Sequence, residues 1–534
     1  MRESMSLQNL RNALSLLAVL AVACGQEPYD VLIHGGLVYD GGGGDPVTAD
    51  VAVTGDRISF IGDADAEGLT ATETVDAAGL IVAPGFIDMH AHSQIGEDWA
   101  KEALPFLYQG ITTVVLGVDG GGSPDVNETL AGWEASGIGV NALTYVGHGA
   151  VRRLVLGEEN RAPTDEELDR MRALVRKGLE EGAFGLSSGL FYVPGYYATT
   201  EEVIELARVA AEYRPAIYDT HDRDLGAAYP SFGYLASIEE AIRIGEEGGT
   251  KVIFSHFNAQ GAANYGRAPE GAALIDAARD RGVTVAGAQH VYTATQSSLR
   301  AYTVPRWASA GGREAMLERF EDPDTARVLD EATAEMLAIR GGADKIRFSD
   351  PRPHLNGRTL ADVAEEWGVP APEAARRILA EGNASVMNVG LYDPVNTAFL
   401  AEQDWMMTCT DGRDIAPGTA VGHPRVYGAF TKKLRDYVLD EERISMAFAI
   451  RSMTGLAAEF LELPDRGFLR EGLKADLTIL DPERIRDRAT YDEPHKYSEG
   501  TVHVLVNGEF AIRDGAHTGA LAGRGLRPSP HLSE

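Results

Sequence analysis

Five side chains of the sequence have the types and the spacing of a metal site. His90 and His92 are separated by one residue at the end of an apolar run, so in a strand both imidazoles point to the same face. His221, His256 and Asp411 each follow another apolar run. Imidazole and carboxylate ligands suit Zn²⁺, and Mn²⁺, Co²⁺ or Fe²⁺ accept the same donors. A lone histidine in an apolar strand is usually a packed core residue, but that interpretation does not account for the whole set.

The chemistry expected of such a centre is hydrolysis. A bound divalent cation polarises a carbonyl group and lowers the pKa of water toward neutrality. Asp411 is the predicted general base, which takes a proton from water and passes it to the leaving group. Its Thr-Asp-Gly context is also typical of a simple turn. Its place after the last predicted strand favours the catalytic role.

These side chains require a scaffold that brings the ends of several strands together. Short apolar, β-branched runs begin near positions 81, 111, 139, 183, 216, 251 and 283, and an eighth covers 404–412. Helical patterns lie between several of them, and Thr164, Thr199 and Ser237 each precede a glutamate by three residues, as in a capping box. Repeated strand and helix units predict an α/β fold, a TIM-like (β/α)₈ barrel with its active site at the carboxyl ends of the strands.

The two ends of the chain have a different pattern. Residues 24–80 and 461–515 contain short strands punctuated by glycine and no helical periodicity, which predicts a small β-sandwich domain built from both chain ends. The predicted barrel spans residues 81–460 and carries an insertion at about 295–403. Residues 516–534 are rich in Gly and Pro and form a C-terminal tail.

Residues 1–23 have the pattern of a signal peptide. Arg2 and Arg11 flank an apolar run at 13–23 that is too short to span a bilayer core of about 30 Å. Small residues precede Cys24, as in a bacterial lipoprotein box; a plain signal peptide is the alternative. We expect an exported protein, tethered through a lipid on Cys24 to a bacterial membrane that faces the periplasm or the cell surface.

The composition excludes several other classes of protein. The 534 residues are 44% hydrophobic and 24% charged, which is typical of a globular chain. A net charge of −32 repels phosphate groups, so no nucleic-acid partner is expected. Cys24 and Cys409 are the only cysteines, which excludes a disulfide framework and a four-thiolate zinc site. No later apolar run is long enough to cross a membrane, so membrane contact is expected only through the lipid anchor.

The order of the motifs resembles the amidohydrolase superfamily and, within it, the N-acyl-D-amino-acid deacylase (D-aminoacylase) family. The superfamily marks are the His-x-His after strand 1, the histidines after strands 5 and 6, and the aspartate after strand 8. Narrower family motifs are GITTVVLG (110–117), VGHGAVRRLVLG (146–157), GAFGLSSGLFYVPG (182–195), HPRVYGAF (423–430), MTGLAAEFLELPDRG (453–467) and GLKADLTILDP (472–482). The resemblance covers residues 30–527. It implies a metal-dependent hydrolase of a small linear amide, with N-acyl-D-amino acids as the first expected substrates.

The metal ligands depart from those of the relatives. Many superfamily members have a carboxylated lysine at the end of strand 4, where residues 186–189 read Leu-Ser-Ser-Gly. D-aminoacylases have a cysteine after strand 2, where this chain has Asp119. The resemblance therefore implies that Asp119 bridges two ions or binds a single one. The alternative is a turn residue that leads into Gly120, and both occupancies, one ion or two, stay open.

The resemblance also implies contacts with the substrate. Tyr192 matches a family position that packs against the substrate; a core aromatic is the alternative. Arg425 and Tyr427 lie in the HPRVYGAF motif and resemble family residues; loop packing is the alternative. His148 and Arg152 follow strand 3, where a basic pair could bind a substrate carboxylate; a structural salt bridge is the alternative.

Two of the predicted substrate contacts differ from the family pattern. Asn258 occupies the position of a family lysine that meets the substrate carboxylate, and Tyr292 ends a strand 7 segment that reads Ala-Gln-His-Val-Tyr instead of Asp-Ala-Tyr-Pro-Tyr. Both departures weaken the expectation of a free N-acyl-D-amino acid. Seven other histidines are interpreted as surface or structural residues, with His423 as the first exception to consider: His34, His354, His423, His495, His503, His517 and His531.

Two other functions compete with this interpretation. A cyclic amide hydrolase or dipeptidase, like dihydroorotase or hydantoinase, uses the same metals, but the missing strand 4 lysine argues against it. A non-catalytic, ligand-binding surface lipoprotein is the alternative from another class, and the intact ligand set argues against that.

Overall fold

Residues 28–416 and 418–528 are described by the computed structural model. The first part of this range forms strands β1 (Tyr29–Val38), β2 (Val47–Thr54), β3 (Arg57–Gly62), β4 (Ala71–Asp76) and β5 (Ile81–Pro84), with a one-turn helix α1 (Ala64–Glu67). The predicted signal peptide 1–23 and the predicted lipidation site Cys24 lie outside the described residues.

Strands and helices then alternate. The strands are β6 (Phe86–Asp88), β7 (Ile111–Leu116), β8 (Asn141–Thr144), β9 (Val146–Gly147), β10 (Gly185–Gly189), β11 (Ile217–His221), β12 (Lys251–Phe254) and β13 (Val285–Gln289). The helices are α2 (Leu104–Leu107), α3 (Val126–Ser136), α4 (His148–Leu156), α5 (Asp165–Glu180), α6 (Thr200–Ala211), α7 (Tyr234–Gly248) and α8 (Ala268–Asp280). All pairings are parallel, and β8 pairs with β7 while β9 pairs with β10, so these two short segments together make the third barrel strand.

The predicted insertion is a packed subdomain. Strands β14 (Thr295–Ser298), β15 (Ile346–Phe348) and β16 (Ser385–Asn388) form an antiparallel sheet with β16 in the centre. The helices are α9 (Leu299–Thr303), α10 (Gly312–Glu321), α11 (Pro323–Ile339), α12 (Leu360–Trp367), α13 (Ala371–Glu381) and α14 (Pro394–Ala401). Buried side chains such as Leu299, Phe348 and Ile378 give the insertion its own apolar core.

The barrel closes between its last and first strands. Strand β17 (Met406–Thr408) pairs in parallel with β13. Beyond it the chain runs beside the end of β6: Asp411 N donates to His90 O at 2.8 Å, and His92 N donates to Gly412 O at 2.8 Å. The predicted (β/α)₈ barrel is confirmed.

The rest of the chain covers the barrel and returns to the amino-terminal strands. It forms α15 (Arg425–Lys432), a π-helix (Lys433–Asp440), α16 (Met446–Met453), α17 (Gly455–Leu461), β18 (Leu477–Leu480), β19 (Thr501–Val506), β20 (Glu509–Arg513) and β21 (Ala516–His517). β18 pairs antiparallel with β5, so both chain ends share one nine-stranded sheet in the order β21-β20-β19-β18-β5-β1-β2-β3, with β4 on β1.

Two boundaries differ from those predicted. Residues 81–84 form β5, which pairs with β18 in the nine-stranded sheet built from both chain ends, called the end-strand sheet here. The barrel begins only after Gly85, with β6. The tail begins with β21 and then runs along the barrel, where Ala142 N donates to Arg524 O (2.9 Å) and Leu526 N to Ala142 O (2.7 Å). Among residues 28–416 and 418–528, no helix has both the length and the apolar character needed to cross a bilayer.

The three predicted capping boxes have different outcomes. Thr164 and Glu167 form the complete box at the start of α5. Thr199 caps α6 by accepting from Glu202 N at 3.2 Å, but the Glu202 carboxylate has other partners. Ser237 lies inside α7, so the predicted helix start there was wrong: the helix begins one turn earlier, after Gly233 at φ 104°.

Candidate metal centre and active site

Five barrel strands deliver the predicted metal ligands to one point. His90 and His92 follow β6, and His221 is the last residue of β11. Asp119, His256 and Asp411 come two or three residues after β7, β12 and β17. Because the strands are parallel, their carboxyl ends meet at the same mouth of the barrel.

Asp119 lies at the centre of the four histidines. Its Oδ1 is 3.5 Å from the Nε2 atoms of His90 and His256. Its Oδ2 is 3.5 Å from His92 Nε2 and 3.6 Å from His221 Nδ1. One carboxylate oxygen therefore faces one pair of imidazoles, and the other oxygen faces the second pair.

Asp411 completes a second group of donors with the first two histidines. Its Oδ1 is 3.4 Å from His92 Nε2 and 3.8 Å from His90 Nε2, and the two Nε2 atoms are 3.3 Å apart. Burial alone would raise the pKa of Asp411, but the positive charges of Arg425 and His256 hold it well below its usual value.

The donor set fits a metal ion. Two ligands of a tetrahedral Zn²⁺ ion, each about 2.1 Å from the metal, lie about 3.4 Å apart, and the donor atoms here are separated by 3.3 to 3.8 Å. Asp119 Oδ1 and His221 Nδ1 are buried and have no hydrogen-bond partner among the described residues. Buried polar atoms are rarely left without a partner. A cation held by His90, Asp119 and His256 would satisfy Asp119 Oδ1.

Close backbone packing brings Asp119 to this position. A Cβ atom on Gly189, at the end of β10, would lie 2.2 Å from the Asp119 carbonyl oxygen. Only glycine allows this approach. The end of β10, the fourth barrel strand, is thus packed against the Asp119 backbone.

Asp88 was not predicted from the sequence. It connects the first barrel strand, β6, to the segment that follows the last barrel strand, β17. This fully buried carboxylate in β6 accepts hydrogen bonds from His90 N (3.2 Å) and from Thr410 N (2.9 Å) and Oγ1. It therefore fixes the backbone beside both His90 and Asp411. Its spacing of two from His90, the same as that between the two histidines, is the signal that points to it.

His290 was also missed, although it directly follows β13 at the same mouth of the barrel. Its Nε2 is 3.0 Å from Arg425 Nη1 and 3.8 Å from Asp411 Oδ2. Burial, together with the charge of Arg425, lowers the pKa of His290 to about 3. The side chain is therefore neutral near pH 7.

A cavity of about 480 Å³ opens beside these ligands. Asp119, His221, His256 and Asp411 line one side of it, together with Tyr192. The opposite wall is supplied by the insertion, through residues of β14 and the start of β16. It consists mainly of small polar side chains: Thr295, Gln296, Ser297, Ser298, Asn383 and Ser385.

Comparison with known proteins identifies the family. The model of the amidohydrolase family matches residues 73–512. The chain is 34% identical over 524 residues to the D-aminoacylase of Alcaligenes xylosoxydans xylosoxydans, an alignment that covers 94% of this chain and 98% of that protein. The chain belongs to the amidohydrolase family. The predicted resemblance and the predicted class of metal-dependent amidohydrolase are confirmed.

Solved structures of related amidohydrolases have the same fold. N-acyl-D-glutamate deacylase from Bordetella bronchiseptica, complexed with zinc and a phosphonate inhibitor, superposes with a TM-score of 0.79 at 32% identity, covering 94% of this chain and 100% of that one. A crystal structure of D-aminoacylase matches with a TM-score of 0.78 at 30% identity, with coverage of 94% and 100%.

Two of the predicted substrate contacts lie at the cavity of this amidohydrolase. Tyr192 lines the wall, with its ring centroid 4.6 Å from that of His221. Arg425 also lines the cavity, and its Nη1 is 2.5 Å from Asp411 Oδ2. Arg425 is fixed by His423, which accepts a hydrogen bond from Arg425 N at 3.1 Å. His423 thus supports the site from behind.

The predicted basic pair His148 and Arg152 is a structural feature and not a substrate contact. Both side chains are fully buried outside the cavity, between α4 and α6. His148 Nε2 lies 3.0 Å from Glu202 Oε1, and Arg152 contacts Glu202 Oε2. Because both side chains are buried against Glu202, neither is available to a substrate in the cavity.

The predicted contacts Asn258, Tyr292 and Tyr427 also face away from the cavity. The Asn258 amide donates to Thr397 Oγ1 at 2.9 Å and so connects the segment after β12 to α14. Tyr292 donates its hydroxyl hydrogen to Asp487 Oδ2 at 2.9 Å. Tyr427 O–H lies 2.8 Å from His495 Nδ1. All three are buried, and the prediction that they touch the substrate was wrong.

Proposed function

We propose that this amidohydrolase cleaves the linear amide bond of N-acyl-D-amino acids and releases a carboxylate and a free D-amino acid. The observation that carries the proposal is the cluster of four histidines, Asp119 and Asp411 at the wall of the cavity. The D-aminoacylase and the N-acyl-D-glutamate deacylase that align over at least 90% of the chain are named for this reaction.

We infer that the bound metal is zinc, the ion named for the Bordetella bronchiseptica enzyme. Imidazole nitrogens and carboxylate oxygens are ligands that Zn²⁺ accepts, and Mn²⁺, Co²⁺ and Fe²⁺ are the alternatives. When bound, such an ion supplies Lewis acidity that favours attack of water on the amide carbonyl.

The proton transfers belong to Asp411. Its carboxylate is deprotonated, lines the cavity and is held by Arg425, so its orientation toward a bound substrate is fixed. It accepts the proton of the attacking water and then donates it to the amide nitrogen as the C–N bond breaks. Tyr192 forms the aromatic wall beside the reacting group.

The reaction and the ligand set are tested together with protein reconstituted with Zn²⁺. We expect turnover of N-acetyl-D-leucine and little of N-acetyl-L-leucine, and bound metal measured by elemental analysis. His221→Asn should lose both metal and activity, whereas His503→Asn, a buried histidine of the end-strand sheet, should keep both. Faster turnover of the L isomer would refute the stereochemical part. Full metal content in His221→Asn would refute the ligand assignment.

We also propose that the mature enzyme is exported and carries a lipid on Cys24. Arg2, Arg11, the apolar run at 13–23 and the small residues before Cys24 support this proposal. Cells that express the full chain would be labelled with a radioactive fatty acid. We expect label and membrane association in the unmodified protein and neither in Cys24→Ala, whereas equal labelling of both would contradict the proposal.

A further inference from the structure

A second cavity adjoins the active-site cavity and is called the side chamber here. Its volume is about 170 Å³. It shares the lining residues Phe191, Tyr192, Ser298 and Asn383 with the active-site cavity. The two cavities therefore meet at these side chains, beside Tyr192.

The side chamber is positively charged. Arg153, Arg300 and Arg306 line it together with a single carboxylate, that of Glu158. Glu158 is 2.9 Å from Arg300 Nη2 and 3.8 Å from Arg153 Nε, so it neutralises only part of the charge. This surplus of cations stands out in a chain whose net charge is −32.

Arg306 is the most deeply buried of the three arginines, with 4% of its surface exposed. Its Nε and Nη1 donate to backbone carbonyls, Nε to Phe191 O at 3.0 Å and Nη1 to Ala301 O at 3.1 Å. Its Nη2 is buried and has no acceptor among the described residues. Its guanidinium carbon lies 4.4 Å from the centre of the Phe191 ring.

A second buried arginine, Arg340, lies near the same Phe191 ring but lines neither cavity, and its Nη2 donates to Ala227 O at 2.9 Å. Arg340 stacks on Tyr302 at 3.9 Å and lies 5.8 Å from the Phe191 ring centre. Its Nε and Nη1 are buried without acceptors among the described residues. Burial and the charge of Arg340 lower the pKa of Arg306 to about 10, so Arg306 is still protonated at neutral pH.

Neither Arg306 nor Arg340 forms an ion pair with a carboxylate in the part of the chain that the structure describes. A buried cation without a counter-charge is energetically costly, and an anion that enters the site offsets the cost. Guanidinium groups bind carboxylates with paired, charge-assisted hydrogen bonds. Resting on the proposed function, we propose that the side chamber binds a second carboxylate of the substrate, in addition to that of the amino-acid α-carbon.

This second carboxylate has two possible sources, and matched substrates separate them. N-acetyl-D-glutamate carries it on the side chain, and N-acetyl-D-glutamine is its neutral counterpart. N-succinyl-D-leucine carries it on the acyl group, and N-succinamoyl-D-leucine is the neutral counterpart. A charge-assisted hydrogen bond predicts a kcat/KM about tenfold or more higher for the charged member of one pair.

Variants then assign this preference to the side chamber. Arg300→Gln should reduce the ratio of kcat/KM between the charged and the neutral substrate about tenfold. Arg306→Lys should reduce this ratio less, because lysine keeps the positive charge but cannot form the paired hydrogen bonds of a guanidinium group. Arg319→Gln is the matched control, because Arg319 also bonds loop carbonyls, those of Ala308 and Ala310, but does not line the side chamber. The source whose ratio falls in Arg300→Gln identifies which end of the substrate enters.

The outcomes separate this proposal from the proposed function. Equal kcat/KM within both pairs, or an equal loss of preference in Arg319→Gln, would overturn the side-chamber proposal while turnover of N-acetyl-D-leucine still supports the reaction. If none of these compounds is hydrolysed, the proposed function fails. In that case, calorimetric binding of the same compounds to Asp411→Asn tests the side chamber by itself. Tighter binding of the charged member of a pair, lost when Arg300→Gln is added, supports the side-chamber proposal. Equal binding of the charged and neutral members overturns it.

Discussion

Arg425 holds the Asp411 carboxylate through a contact of 2.5 Å between Nη1 and Oδ2. The same Nη1 lies 3.0 Å from His290 Nε2. A guanidinium group only donates hydrogen bonds, so His290 Nε2 must be the acceptor and the ring proton must be on Nδ1. The three side chains therefore form a chain in which His290 orients Arg425 and Arg425 orients the general base.

Replacing Arg425 should impair the reaction without unfolding the protein. In Arg425→Met, the Asp411 carboxylate loses a charge-assisted hydrogen bond worth about 1.5 to 3 kcal/mol, so we expect kcat to fall about tenfold to a hundredfold. Steady-state kinetics at saturating metal, with circular dichroism as the check on folding, measures the effect. A kcat within twofold of the unmodified enzyme would contradict the role given to Arg425.

The acceptor role of His290 predicts an unequal response to two amides. Glutamine places its amide near the position of imidazole Nε2, whereas asparagine places it near that of Nδ1. His290→Gln can still accept from Arg425 and should keep kcat about tenfold higher than His290→Asn does. The comparison of kcat between the two variants is the measurement, and equal values would show that His290 only fills space.

The buried Glu202 should contribute strongly to folding stability. Glu202→Gln removes the charge that pairs with the Arg152 guanidinium, and breaking a buried ion pair costs about 3 to 5 kcal/mol. Urea unfolding would measure the change in the free energy of unfolding, with the exposed neighbour Glu201→Gln as the control. Adding Arg152→Met should recover part of the loss, because it removes the unpaired cation. A loss below about 1 kcal/mol would contradict this account.

Lys433 should make stability depend on pH. Burial lowers its pKa from 10.5 to about 7, although its Nζ donates to Thr408 Oγ1 (2.9 Å) and Ser452 Oγ (3.0 Å). Between these two values the unfolded chain binds a proton that the folded chain does not, so the contribution of Lys433 to stability rises with pH. Between pH 7 and 9 this rise amounts to about 2 kcal/mol.

The measurement is the free energy of unfolding at pH 7 and at pH 9. Lys433→Met should lack this part of the rise, whereas Lys432→Met should keep it, because Lys432 is paired with Asp436 at 2.6 Å. The same pH dependence in Lys433→Met and the unmodified protein would show that Lys433 is not the group responsible.

The barrel and the metal ligands could be predicted because they depend on local patterns. The spacing of two between His90 and His92, and the position of His221, His256 and Asp411 after apolar runs, place these side chains at strand ends once the strands are parallel. Asp119 needed the comparison with relatives, because Asp-Gly alone is also a turn pattern.

The failed predictions concern contacts between residues that are distant in the chain. Tyr292 and Tyr427 bond to Asp487 and His495, which lie in the segment that returns after the barrel is complete. Nothing near these tyrosines in the sequence indicates those partners. The polar cavity wall from β14 and β16 was missed for the same reason, because the insertion offers no local sign that it lies over the barrel mouth.

Three of the predicted metal ligands have left-handed backbone: Asp119 at φ 54°, His256 at φ 34° and Asp411 at φ 47°. Side chains other than glycine reach this region only at a conformational cost, and strain of this kind persists where function requires it. Glycine at these positions would relax the backbone and at the same time remove donors from the metal site. A search for thermostable variants by folding alone would therefore favour such substitutions, and selection for stability in this enzyme has to be coupled to a screen for metal retention.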